Sequence, residues 1–291
     1  MNQANAIMGL LAQTSIHAGT GQNTGVIDLP IQREGHNGYP CVFGSAMKGA
    51  LRARAESDVT DKKSVNFVFG PSTDNASAHA GALLVSDARL VLLPVRSLTS
   101  QFKWVTCPEA LSRLKRDAER FGVNFEGLDI ALEGDKAIVP EQTKEGPLFL
   151  EEYRFEVAAK ELDSLIESLA SLMQRSDANT ALQSQLVVVS NDMFAHLAQH
   201  ATPVNAHIAI DSETKVVKPG ALWYEETLPP ETLLYVGLSA VKARAENAEM
   251  PASVILNTIT GLFASKPWLQ VGGNETVGMG WCAVKAVQGD Q

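Results

Sequence analysis

The feature that most constrains this fold is an alternation. Short extended apolar runs are separated by amphipathic helical patterns along most of the chain, so neither an all-helical nor an all-strand architecture can absorb it. The extended runs are Ile7–Ile16, Gly81–Val95 with a break at Ser86-Asp87, Phe102–Thr106, Gln185–Ser190, Leu233–Ser239, Trp268–Val271 and Trp281–Val287. The helical patterns lie between them. One opens at Gly44-Ser45, with Ser45 as N-cap, and runs to about Glu56. A second starts at Pro108, carries the stripe Leu111, Leu114, Ala118 and Phe121, and stops at Gly122. Others are expected over Lys160–Arg175, Asn191–His200 and Pro251–Phe263, the last with Val254, Ile255, Thr258, Ile259 and Leu262 facing inward. His207–Asp211 and Lys215–Lys218 flank the polar turn Ser212–Thr214 and predict a β-hairpin. The order of elements predicts an α+β fold with a largely antiparallel sheet.

Composition narrows the function classes. Of the 291 residues, 45% are apolar and 20% charged, which is globular rather than disordered composition. No apolar run approaches the roughly eighteen residues of a membrane span. No charged residue precedes Asp28, so the basic start of a signal peptide is missing. The 3 cysteines, Cys41, Cys107 and Cys282, are odd in number and far apart, which argues against a disulfide framework or zinc ribbon and for a reducing, cytoplasmic setting. The net charge of −9 is unlike a free-standing nucleic-acid binder. Between Arg33 and Arg54, however, Arg33, Lys48, Arg52 and Arg54 face Glu34 alone, so a basic face on an acidic body is available.

Several motifs resemble active sites and fail on spacing. Gly19-Thr-Gly21-Gln-Asn-Thr-Gly25 has one residue too many for a dinucleotide loop, and no helical pattern follows it. Gly273-Asn-Glu-Thr-Val-Gly278 begins like a phosphate loop, but Met279 stands where the lysine is required. His196 and His200 share a helical face, yet Leu197 occupies the place of a zinc protease's glutamate, so two solvated helix histidines are expected. Nothing near Cys41 would lower its pKa.

Two glycine-rich segments carry more. In Phe43-Gly44-Ser45-Ala46-Met47-Lys48-Gly49-Ala50-Leu51-Arg52, a helix start offers free N–H groups, with Lys48 and Arg52 on one face. This suits a phosphate backbone, and equally a glycine-capped helix with solvated cations. Near the other end, Val271-Gly272-Gly273-Asn274-Glu275-Thr276-Val277-Gly278-Met279-Gly280 permits close backbone approach, or simply a tight strand connection.

Taken together, these two segments resemble the RAMP superfamily of CRISPR proteins. Ser15-Ile-His17-Ala-Gly19-Thr-Gly21, Gly25-Val-Ile-Asp28-Leu-Pro-Ile-Gln-Arg33-Glu34, Ser86-Asp87-Ala88-Arg89, Leu93-Pro-Val-Arg96-Ser97 and Gly220-Ala-Leu-Trp-Tyr-Glu225-Glu226 extend the likeness to the repeated backbone subunit of the type III-B (Cmr) effector complex. The resemblance implies a single module over residues 1–291. Its fold would be a ferredoxin-like, RRM-related palm with insertions and a protruding β-hairpin thumb, here near residues 201–220. It implies copies stacked head to tail along a guide CRISPR RNA beside other Cmr subunits, with complementary target RNA cut at regular steps in the presence of a divalent metal, Mg or Mn. Asp28 would be the catalytic residue and metal ligand, and Gly44, Ser45, Lys48, Gly49, Arg52, Gly273 and Gly278 the RNA contacts. Ala46 and Met279 depart from the family pattern, where serine and a basic residue are more usual.

The chemistry is compatible. RNA supplies its own nucleophile, the 2′-hydroxyl, and its cleavage needs in-line geometry, a proton acceptor and charge stabilisation at phosphorus. His17 is a candidate for proton transfer, or a loop histidine bonded to backbone. Glu225 and Glu226 are further candidates, though a solvated strand end is the expectation for both. A guide-binding backbone subunit without nuclease activity and a stand-alone guide-processing RAMP nuclease are the alternatives.

Overall fold

All seven apolar runs line up with neighbouring segments in one sheet. In a computed structural model, which describes residues 3–58, 61–71, 79–132, 134, 136–143, 146–246 and 248–289, the spatial order of strands is Trp268–Gln270, Trp281–Gln288, Ala4–Ala12, Leu233–Ala240, Ala88–Arg96, Phe102–Thr106, Leu186–Val188, Ala137–Pro140 and Val157–Lys160. Cys41–Val42 and Leu83–Val85 attach at its side, giving 11 strands. Pairing is antiparallel except where Phe102–Thr106 meets Leu186–Val188 and Ala137–Pro140 meets Val157–Lys160. The expected mixed, largely antiparallel sheet is therefore present.

The first strand explains the layering. It sits between the last strand and Leu233–Ala240, with Met8 opposite both Val236 and Ala286. Its residues are buried on both faces, as a continuous apolar run requires. On one face Met8, Leu10 and Val236 pack with Met47, Leu51 and Ala55 of helix Gly44–Asp58 and with Ile255 and Ile259 of helix Ala252–Thr260. On the other, Ile7, Leu11 and Tyr235 pack with Leu111 and Leu114 of helix Pro108–Phe121 and with Leu165, Ile166 and Leu169 of helix Asp163–Ser171.

Helix Pro108–Phe121 matches its sequence pattern at both ends, and Gly122 closes it in the left-handed conformation. Three expectations are corrected. The pattern over Lys160–Arg175 is split, because Val157–Lys160 adds an edge strand and the helix begins only at Asp163. Val254 is exposed, and Leu256 fills the inward position instead. Ser45 is exposed and does not cap its helix. The Gly44 N–H donates to Asp87 Oδ1 at 2.7 Å, so the cap comes from the break between two distant strands. A side chain at position 44 would begin 2.9 Å from the Val85 carbonyl oxygen, so this close approach requires glycine.

The predicted hairpin forms a separate two-stranded sheet, Val204–Ile210 with Val217–Glu226, so its second strand runs on to Glu226. Asp211 ties the turn by accepting from the Glu213 and Thr214 N–H groups. Ile208, Ile210, Leu222 and Tyr224 are exposed along it. Removing Ser212–Thr214 and closing the turn with Asn-Gly should leave the melting temperature within a few degrees and, on the expectation that the family resemblance implies, change the spacing of target cuts. An unchanged cleavage ladder would show that the hairpin does not set the spacing.

Candidate functional site

The segment carrying Asp28 lies along the base of the hairpin as an added backbone layer. Leu29 N–H donates to Tyr224 O at 3.0 Å, and Glu226 N–H donates to Leu29 O at 3.0 Å. The Asp28 carboxylate then accepts from the Tyr224 N–H through Oδ2 at 2.8 Å. Asn23 N–H holds the Asp28 carbonyl at 2.9 Å. The half-buried carboxylate borders a cleft of about 420 Å³ with Gln22, Asn23, Gly220, Leu222 and Trp223. One oxygen is thus oriented by backbone, while Oδ1 carries no hydrogen bond among the described residues.

The rest of the Asp28–Glu34 run builds the support. Gln32 accepts from Phe43 N–H at 2.7 Å and donates to Gly19 O at 3.1 Å, joining the polar loop to the Gly44 helix start. The Arg33 guanidinium donates to the Gly38 and Ala198 carbonyls, both at 2.8 Å, and pairs with Glu226. Glu226 also accepts from Thr202 Oγ1 at 2.6 Å and from Ile31 N–H at 3.1 Å. Glu34 pairs with Arg113, and with Arg89 at 3.7 Å. The motif therefore divides its labour, with one carboxylate at the cleft and its other charges turned inward.

The expected solvated acidic pair is corrected here. Glu225 and Glu226 are 4% and 3% exposed, because the strand end is enclosed between Arg33 and the C-terminal glycine loop. Asn274, in the left-handed region, donates its amide to both Glu225 oxygens at 2.8 and 3.0 Å. His196 is also not freely solvated, since its Nε2 bonds the Tyr153 hydroxyl at 2.9 Å.

His17 is fixed by backbone on two sides. Its Nδ1 donates to Glu226 O at 2.8 Å, and its carbonyl accepts from Gly273 N–H at 2.8 Å. Gly272 has φ +85°, and a Cβ there would lie 2.5 Å from the His17 oxygen. With Nδ1 committed to that bond, Nε2 is the ring nitrogen left for proton transfer. His17 and Asp28 thus anchor two residues apart on one strand, at Glu226 and Tyr224.

The two glycine-rich segments, remote in sequence, line a common groove of about 400 Å³. Gly49, Ala50 and Ala53 form one wall, and Gly19, Gly272 and Gly273 contribute to the other. On the same helix the half-buried Lys48 ammonium is pushed down in pKa, first by burial and then by Arg244 and Arg52. Lys48 therefore sits among cations, where an anion is stabilised. Arg52 itself is engaged with Glu56, the Gly70 carbonyl and Asn66. Gly278, with φ +83°, closes the short turn Glu275–Val277 and does not line the groove. Sequence reasoning missed Arg244, which lies outside every motif and reaches Lys48 only through the fold. It also missed Asn274 as the partner of Glu225.

Among the described residues no group of three or more His, Cys, Asp or Glu is placed to hold a metal ion. Asp28 offers one carboxylate oxygen. That fits a hard divalent cation held by a single carboxylate, water and substrate phosphates.

Residues 10–283 match the family model described as the RAMP superfamily. The chain is 36% identical over 283 residues to the CRISPR system Cmr endoribonuclease Cmr4 of Pyrococcus furiosus, covering 96% of this chain and 94% of that protein. It is 24% identical over 297 residues to the CRISPR system CMR subunit Cmr4 of Saccharolobus solfataricus, covering 92% of each. The crystal structure of oligomeric Cmr4 from Pyrococcus furiosus superposes with a TM-score of 0.76 at 27% identity over 100% of both chains. A chain of the type III-B Cmr-beta complex bound to cognate target RNA superposes at 0.75 and 23% identity over 98% of this chain and 97% of its own, a likeness of fold. With the Asp28 segment on the hairpin base and the paired glycine-rich walls, the chain belongs to the RAMP superfamily and is similar throughout its length to its Cmr4 members.

Proposed function

We propose that this chain is the RNA-cleaving backbone subunit of a type III-B effector complex, which holds a guide RNA and cuts the paired target RNA beside Asp28. The observation that carries the reading is the oriented Asp28 carboxylate, anchored at Tyr224 and bordering an open cleft beside the two-stranded hairpin. The 36% identity to a protein named an endoribonuclease supports the activity. The glycine-lined groove takes the guide backbone, with Lys48 on another face of the same helix, so sequence is read by base pairing and the protein need only contact phosphates. Copies stack head to tail, a heterologous contact that builds an open filament.

In the reaction, a target nucleotide splayed at the hairpin presents its 2′-hydroxyl to the adjacent phosphorus. Asp28 Oδ1 accepts the hydroxyl proton as the O2′–P bond forms and the P–O5′ bond breaks. The products are a 2′,3′-cyclic phosphate and a 5′-hydroxyl, the leaving oxygen taking a proton from solvent or from His17. Were a divalent ion held on Oδ1 instead, that oxygen would not take the proton, which would pass to solvent, and the ion would supply charge stabilisation at phosphorus. Tyr224 N–H fixes the carboxylate, and the Arg33–Glu226 pair holds the strand that carries it.

The test is to assemble the chain with guide RNA and its sister subunits and to analyse a complementary labelled target. A ladder of evenly spaced products ending in cyclic phosphate supports the proposal. An intact target bound by the complex indicates a structural subunit, and cutting of precursor guide by the isolated chain indicates a processing nuclease. Replacing Lys48 with Ala should weaken guide binding and reduce the log–log salt slope by roughly 0.7–0.9, the contribution of one phosphate contact. Weaker binding with an unchanged slope would mean that Lys48 makes no such contact.

A further inference from the structure

At the edge of the sheet opposite Trp268–Gln270 lies a cleft of about 520 Å³, bordered by the Thr99–Lys103 segment, Val139, Leu148, Val157 and the end of helix Ala178–Gln185. Among its described lining residues the one charged side chain is Lys103, on strand Phe102–Thr106 and only 7% exposed. The ammonium donates to the Ser184 carbonyl at 2.7 Å, capping the last turn of that helix. That bond uses one of three donors. Among the described residues no carboxylate pairs with Lys103. Burial alone pushes its pKa down, so the charged form is held at a cost that the Ser184 contact only partly offsets.

The surroundings specify what would complete it. Ser100 and Thr143 direct their hydroxyl protons to the Phe102 and Gln183 carbonyls. Gln142 and Gln183 also border the cleft, and Lys103 is its one cation among the described residues. Val139, Leu148 and Val157 form an apolar wall. A single positive charge beside an apolar wall matches a monoanion with a hydrophobic body better than a dianionic phosphate. We propose that this cleft binds an organic carboxylate carried on a short apolar chain, with Lys103 as its charge partner. The site lies outside the Asp28 cleft and the glycine-lined groove and does not depend on the reading of either.

Calorimetric titration of the full chain with hexanoate tests this. One saturating site is expected, with hexanamide, which keeps the shape and lacks the charge, binding about tenfold or more weakly. Lys103→Gln should weaken hexanoate to a similar degree. Should that variant fail to fold, Ala159→Phe carries the test, since it fills the cleft from an exposed position and leaves the lysine intact. A short peptide ending in Leu, with free or amidated terminus, separates a protein-borne carboxylate from a free small molecule. Tighter binding of the free-acid peptide than of hexanoate supports the first source, and the reverse order the second. Absence of saturable hexanoate and peptide binding, equal affinity for acid and amide, or unchanged affinity in a folded Lys103→Gln or Ala159→Phe chain would overturn the proposal.

Discussion

Replacing Asp28 with Asn should lower single-turnover target cleavage by about 10²–10⁴-fold, the range supplied by a positioned general base. Guide binding and assembly should remain at the level of the parent chain. Asparagine keeps an oxygen to accept from Tyr224 N–H, so the loop stays on the hairpin base while the negative charge and the proton acceptor are lost. Asp28→Ala makes a useful companion. It removes the same chemistry and also leaves the Tyr224 N–H without its side-chain partner, at a cost of about 1 kcal/mol. Both variants should therefore be inactive, and only the alanine chain should melt measurably earlier. Cleavage within tenfold of the parent at saturating Mg or Mn would remove Asp28 from the reaction.

The largest effect on stability is expected at Arg33. Its guanidinium is the cation paired with Glu226, whose carboxylate is 3% exposed on the strand that anchors both His17 and Asp28. Arg33→Met strands that carboxylate in the interior, and removing one partner of a buried pair costs about 3–5 kcal/mol. At roughly 2.1 cal/mol/K of unfolding entropy per residue, the melting temperature should fall by about 5–8 °C. The double variant Arg33→Met, Glu226→Gln should recover most of the loss, because the uncompensated charge is then gone. A single variant within 1 kcal/mol of the parent would show that the pair does not hold the site. Cleavage should suffer in the single variant even below its melting range, since the Asp28 segment bonds to the same strand.

The local elements were legible because their signals are local. Pro108 and Gly122 bracket a helix whose stripe has the right period, and the structure keeps each of those residues in its expected role. The polar Ser212–Thr214 turn between alternating strands forms the hairpin. The break at Ser86-Asp87 was readable too, yet its purpose was not. Asp87 caps a helix that begins 43 residues earlier, a bond no neighbouring residue announces. Edge strand Val157–Lys160 was not read, and the helix was begun at its last residue, because a four-residue strand completed by sheet pairing carries little period of its own. Val254 and Leu256 exchanged places because the sheet, not the helix, decides which part of a broad apolar stripe is covered.

The candidate site divides the same way. Residue type and order determined which groups are available: a carboxylate in a polar loop at Asp28, glycines that let chains approach at Gly272 and Gly273, and cations on one helical face at Lys48 and Arg52. These follow from covalent chemistry and short-range sterics, so the sequence alone specifies them. Tertiary structure decided which of those charges meet solvent and which meet each other. Glu225 and Glu226 look alike in sequence to Asp28, but folding encloses them against Asn274 and Arg33 and leaves Asp28 at the cleft. It tied Arg52 to Asn66 and Glu56 while bringing Arg244 to Lys48 across almost two hundred residues. Burial and electrostatics depend on distances between segments that chain order does not encode, so a charge acquires its function only when the fold has chosen its neighbours.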